Sequence, residues 1–244
     1  MYTLNYDRIF KILAEIIEIS VFDGFECGEF IPEDGIKPNV GRILTDLDSH
    51  THYNLHGCSF WEVNSRDEIT ELLNPWISLQ PFTILGSSSN ENAVVQIEKG
   101  KSIVISNIVT GYQKAQKSFI TPFKQMQAAF DKDCYLADEI YIIGYSFGDA
   151  HINTSIKAAL TNNPNVKIHL IDPVYCEKNG KKGYDILVDR LINIIPEFLN
   201  DERTQPAYSN DNNTATYFSG KLIVSSIGFN EYLEVDAKKD EKII

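Results

Sequence analysis

The chain has 244 residues and a net charge of −12, with 43% hydrophobic and 23% charged residues. Such a length allows a sizeable core, and the composition is that of an ordinary globular protein. The acidic excess argues against a broad nucleic-acid footprint, which needs clustered Lys and Arg. A phosphate-bearing small ligand stays compatible with it, because backbone N–H groups and helix ends bind phosphate locally. Cys27, Cys58, Cys134 and Cys176 form no C-x-x-C pair and no disulfide framework, so a reducing cytoplasm is the expected compartment. Neither a secretory signal nor an apolar run of the ~18 residues a membrane helix needs is visible, so no membrane partner is expected.

In chain order, Met1 to Leu4 reads as the end of a short strand, and Asn5 or Asp7 as the cap of a following helix. Ile9, Leu13, Ile16 and Ile17, with Phe10 beside them, give that helix an apolar face at helical spacing. Residues 23–51 are rich in glycine and proline (Gly24, Gly28, Pro32, Gly35, Pro38, Gly41) and read as an inserted region or small subdomain. Tyr53 to Trp61 reads as a short strand and a turn, Asp67 to Leu73 as a helix stopped by Pro75, and Lys101 to Val109 as a strand. Ile77 to Gln96 is poorly patterned, with a surface loop at Ser87–Asn90.

The second half is clearer. Pro122 suits the first position of a helix running to Phe130 or beyond. Glu139 to Ile143 reads as a buried strand, Asp149 to Leu160 as a helix with Ile152, Ile156 and Leu160 on one face, and Val166 to Ile171 as a second strand. This βαβ unit implies parallel pairing through a right-handed crossover. Ligands of such sheets bind beyond the carboxyl ends of the strands, which puts Gly144 to Asp149 and Asp172 on one edge. Asp185 to Leu199 is expected to be a helix, Thr216 to Ser225 a strand, Phe229 to Leu233 a last helix, and 234–244 a mobile tail.

Four constellations carry candidate chemistry. Gly144-Tyr145-Ser146-Phe147-Gly148 has the G-x-S-x-G form of a hydrolase nucleophile elbow, but that fold needs a histidine after its acid, and no histidine follows Asp172. The turn reads instead as a bare chain exit or as a backbone cradle for a phosphate or ribose, with Ser146 as a donor. Asp172, at a strand end, can accept from ribose hydroxyls or simply form an Asp-Pro turn with Pro173. His56 before Gly57 can act as a general base at a ligand, or be a half-buried histidine bonded to a carbonyl. Asn5-Tyr6-Asp7 can be a helix cap. Two rivals use neighbouring residues. His50, His52 and His56 would share a face if 48–56 were one strand, as in a metal-dependent hydrolase holding zinc or iron. Cys58 beside His56 suggests a Cys–His nucleophile without a third orienting group.

Taken in order, Thr3-Leu4-Asn5-Tyr6-Asp7, Asn54-Leu55-His56-Gly57 and Ile143 to Asp149 with Ile152-Asn153 resemble the sirtuin-like (silent information regulator) domains of bacterial anti-phage defence proteins. The stretch from Val109-Thr110-Gly111 through Lys117 to Pro122 is similar to the same subfamily. The resemblance implies a three-layer Rossmann-like α/β fold with a mostly parallel sheet, and one domain over 1–244. It implies NAD as substrate, hydrolysed to nicotinamide and ADP-ribose, with no metal. Asn5 would position the nicotinamide ribose and the attacking water, and His56 would draw a proton from a ribose hydroxyl. Asp7 would support the loop, Gly144 and Ser146 would contact the cofactor, and Asp172 would meet the adenosine ribose. A homo-oligomer and a defence-system or phage protein partner also follow from the resemblance.

The chain departs from the family twice. Between His56 and Gly144 only Cys58 and Cys134 occur, so the four-cysteine zinc module of the protein deacetylases has no counterpart, which favours NAD hydrolysis over deacetylation. The family's Gly-rich pyrophosphate turn lies upstream of the asparagine motif at which this chain starts, so reduced turnover, or an NAD or ADP-ribose binding module without turnover, is the alternative expectation.

Overall fold

The computed structural model describes residues 1–26, 35–64, 76–79, 89–110, 120–173, 183–194, 207–208 and 213–240. The expected helix Asp67 to Leu73, most of the 111–122 stretch, Gly28, Pro32, Cys27, Cys176 and the end of the helix expected to reach Leu199 lie outside these residues. The protein is mixed α/β, with helices and several sheets. The chain groups into two compact units, Met1–Asp131 and Lys132–Ile244.

In the first unit, β1 (Tyr2–Thr3) pairs in parallel with β2 (Tyr53–Asn54). α1 (Ile9–Ile16) starts where the Asp7 carboxylate accepts from the Ile9 N–H at 3.0 Å, an Asx-type cap. Its amphipathic pattern predicts a buried face, yet none of its residues is buried, and Ile16 and Ile17 are 70% and 65% exposed. Polar anchors flank the helix instead: the Asp23 carboxylate takes Arg8 at 2.8 Å and Lys11 at 2.5 Å, and both Arg8 and Asp23 are buried. Pairing supplies what burial of a carboxylate demands. Within 23–51 a short helix, α2 (Val40–Thr45), is capped by Asn39, whose side chain accepts from Arg42 N.

Two antiparallel hairpin-like pairs follow, β3 (Trp61–Asn64) with β4 (Trp76–Leu79) and β5 (Ser89–Glu98) with β6 (Lys101–Ser106). β4 and β5 arise in the stretch the sequence patterns poorly, and β5 begins at Ser89, inside the expected loop. The core of this unit contains an aromatic group among aliphatic residues such as Ile43, Ile77 and Ile105. Trp61 packs edge-on against Phe123, and Phe25 tilts against Trp61, with ring centres 5.5 and 5.4 Å apart. Phe123 opens α3 (Phe123–Leu136), just after Pro122, and the helix runs past Phe130.

The second unit holds a mostly parallel five-stranded sheet, in the order β7-β8-β11-β10-β9. β7 (Glu139–Ile143), α4 (Ala150–Asn162) and β8 (Lys167–Ile171) form the expected parallel βαβ unit, in register from Glu139↔Lys167 to Ile143↔Ile171. Ile152, Ile156 and Leu160 are buried, as their spacing predicts. β7 is less buried than its apolar run suggests, because it is the outermost strand of this sheet: Ile142 is buried while Tyr141 and Ile143 are exposed.

After α5 (Gly183–Ile194) and β9 (Ala207–Tyr208), the expected single strand over 216–225 is two strands, β10 (Thr214–Tyr217) and β11 (Leu222–Ser225). Phe218 and Ser219, both at positive φ, with Gly220, turn the chain between them. β11 is parallel to β8, and β10 and β9 close the sheet in antiparallel fashion. α6 (Phe229–Asp240) extends into the stretch expected as a tail. Among the described residues no helix is long and apolar enough to cross a membrane.

Candidate functional site

The first unit brings the Asn5 and His56 loops side by side. The short β1–β2 ladder continues as Leu55 N–H donating to the Thr3 carbonyl at 3.0 Å. Beyond it the chain of residues 5–7 turns away from the strand, and its carbonyls need donors. Asn54 supplies two: its buried side-chain amide donates to the Asn5 carbonyl at 3.0 Å and to the Asp7 carbonyl at 2.9 Å. Ser59 adds two more, backbone and hydroxyl, both to the Tyr6 carbonyl. The Asn5-Tyr6-Asp7 loop is thereby fastened on both sides of His56. The Asn5 side chain is exposed, and the Asp7 carboxylate is spent on capping α1.

His56 itself is buried at 2% exposure. Its carbonyl accepts from Val109 N–H at 2.8 Å, and Cys58 N–H donates to the Asn107 carbonyl at 3.2 Å. Between them Gly57, at φ +89°, sits so close to Asn107 that a Cβ would lie 2.0 Å from its carbonyl oxygen. Only glycine fits this crossing. Asn107 in turn donates through its side chain to the Trp61 carbonyl, tying the His56 loop to β3.

Cys58 is fully buried, and burial pushes its thiol pKa up, away from a reactive thiolate. His50 is exposed while His52 and His56 are buried, and among the described residues these three do not bring their ring nitrogens within 4.8 Å of one another. The single strand over 48–56 that would align them is reduced to Tyr53–Asn54. His52 borders a cavity of about 360 Å³ with Phe10, Ala14, Ile19, Val21 and His50. Among the described residues neither of its ring nitrogens has a hydrogen-bond partner, and burial pushes its pKa down to about 4.

In the second unit the Gly144 turn and Asp172 lie together at the carboxyl edge of β7 and β8. Gly144 N–H donates to the Ile171 carbonyl at 3.0 Å, and Asp172 N–H to the Ser225 carbonyl at 3.3 Å. The turn's form comes from two residues the sequence reading left without roles. Tyr145 OH bonds Asn153 Oδ1 at 2.8 Å and accepts from Asp149 N–H at 3.1 Å, and Asn153 donates to the Phe147 carbonyl at 2.9 Å. Burial pushes the Tyr145 hydroxyl up to about 12, so it stays a neutral strut. Held this way, Phe147 takes a positive φ of 60° with its ring buried, and Ser146 is left exposed. Gly144, at φ +61°, faces open space where a side chain would be. Asp172 is partly buried, and Arg190 of α5 stands 3.7 Å from its carboxylate.

A comparison with protein-family models and with curated proteins finds no match for this chain.

Proposed function

We propose that the protein is a sirtuin-like NAD glycohydrolase of the anti-phage defence type, with Asn5 and His56 as its catalytic pair. Asn54 carries the assignment. One buried amide fastens the carbonyls of Asn5 and Asp7 to the strand that leads into His56, so an exposed carboxamide is presented beside the histidine loop. In the other unit an exposed Ser146, a bare Gly144 and Asp172 share the carboxyl edge of a parallel sheet, where nucleotides bind.

Nicotinamide in NAD is a cationic leaving group. When the glycosidic C–N bond breaks, the electron pair leaves with the ring and a cationic ribosyl carbon remains. Asn5, through its carboxamide, orients the ribose and the incoming water. The water oxygen bonds that carbon, one of its protons passes to solvent, and ADP-ribose and neutral nicotinamide result. His56 accepts a hydrogen bond and then the proton from a ribose hydroxyl, and the electron-rich oxygen left behind stabilises the developing positive charge. Homo-oligomerisation and a defence-system or phage partner belong to this same reading.

The test is chromatographic quantitation of nicotinamide from NAD incubated with the full chain. Equal amounts of nicotinamide and ADP-ribose are expected, with at least a hundredfold loss in Asn5→Ala and in His56→Ala, each with an unchanged circular dichroism spectrum. A second reading, a module that binds NAD or ADP-ribose without turnover, is favoured by the 2% exposure of His56, since a ring so enclosed shapes a loop more readily than it meets a ligand. Calorimetric binding without product selects it.

A further inference from the structure

The registers of the second unit make three strand ends level. Ile143 pairs with Ile171, and Ile171 with Ser225, so β7, β8 and β11 run in parallel and finish side by side. The residues just past those ends are Gly144, Asp172 and Ser226. In sheets of this kind an acid at the end of the strand next to the Gly-rich turn accepts from the ribose 2′-hydroxyl, and an arginine nearby accommodates a 2′-phosphate. Here both are present in one pair: Asp172, with its side chain 19% exposed, and Arg190, with its side chain 39% exposed and Nη1 3.7 Å from Asp172 Oδ2. Among the described residues no atom lies within 4 Å of where a Gly144 side chain would begin, and Ser146 is exposed beside it.

We propose that Arg190 is the specificity-determining residue of this edge, a role that rests on the nucleotide-binding reading above. Standing 3.7 Å from Asp172, it holds the carboxylate toward a ribose diol, which selects a free 2′-hydroxyl, while the carboxylate repels a 2′-phosphate. With the carboxylate charge removed, the same guanidinium is released to take the phosphate, because arginine matches phosphate oxygens in a two-pronged geometry.

The experiment is isothermal titration of the full chain with ADP-ribose and with 2′-phospho-ADP-ribose, which reads binding without requiring turnover. The unsubstituted chain is expected to favour ADP-ribose by tenfold or more. Asp172→Asn should lower that preference at least tenfold, chiefly by tightening the phosphorylated ligand. Arg190→Ala should weaken ADP-ribose three- to tenfold, and Asp172→Asn with Arg190→Ala should not regain the phosphorylated ligand. A purely structural pair would shift both ligands by the same factor, and an unchanged preference ratio in Asp172→Asn overturns the proposal while leaving nucleotide binding in place. If neither ligand binds the unsubstituted chain, the proposal and the nucleotide reading fall together.

Discussion

Gly57→Ala probes the crossing that holds His56. An added Cβ would sit 2.0 Å from the Asn107 carbonyl oxygen, whereas carbon and oxygen seldom approach closer than about 3.3 Å. The two backbones must therefore part by more than an ångström, and the neighbour is main chain rather than a flexible side chain. Parting them breaks the Cys58 N–H to Asn107 and Val109 N–H to His56 hydrogen bonds, at about 1 kcal/mol each. The left-handed φ of +89° adds about 1–2 kcal/mol for a residue with a Cβ. The total is about 3–4 kcal/mol, which at a slope of about 1–3 kcal/mol per molar urea lowers the midpoint by 1 M or more. Both tryptophans, Trp61 and Trp76, lie in the first unit, so their fluorescence reports this unit alone. Gly144→Ala is the matched control. It has φ +61° and no atom within 4 Å of the new carbon, so only the strain of about 1–2 kcal/mol applies, read by amide hydrogen exchange across 150–162. A Gly57→Ala loss no larger than that of Gly144→Ala would refute the steric reasoning.

Other expectations follow from single contacts. Asn54→Ala removes two donors from buried surroundings and should cost about 1–3 kcal/mol by tryptophan-monitored urea unfolding, with nicotinamide release falling alongside. His52 is held near 4 against an ordinary 6.5, so the unfolded chain takes its proton first. Stability from this group is full above pH 6.5 and is lost as pH falls toward 4, by at most about 3 kcal/mol. His52→Leu should flatten that acid limb in a pH series of unfolding midpoints, and at pH 7 it should cost little, because neither ring nitrogen has a partner to lose. Ile16→Lys, on a helix with no buried residue, should change stability by less than about 0.5 kcal/mol. A loss above 2 kcal/mol would mean that this face is covered in the folded protein.

Local pattern carried the second unit further than the first. The run from Glu139 to Ile171 was legible because apolar stretches of strand length bracket a helix with its own periodicity, and β7 finds its partner β8 within one βαβ crossover. The Phe218–Gly220 turn was not, because two of its three positive-φ positions are Phe218 and Ser219, residue types that do not announce such a backbone, and Gly220 alone sits within an otherwise strand-like run. In the first unit β4 and β5 were missed for want of alternation. α1 is legible as a helix from its apolar spacing, but its anchors, the charged Arg8 and Lys11 on a distant Asp23, are not. At the site, residue types pointed to Asn5, His56, Ser146 and Asp172, but the residues that set their geometry carry no local signal. Asn54 bonds partners 49 and 47 positions away, Gly57 needs its glycine because of Asn107, and Tyr145 and Asn153 brace a turn that reads as a generic Gly-Ser motif. Asp7, at a strand-to-helix junction, accepts from the Ile9 N–H at the start of α1, as its position there predicts.

The most direct measurement is nicotinamide release from NAD by the purified full chain, run beside His56→Ala and Asn5→Ala proteins of equal helicity. Stoichiometric nicotinamide and ADP-ribose from the first, and neither product from the other two, is the expected result. Intact NAD after prolonged incubation, with no heat of binding on titration, would contradict the account.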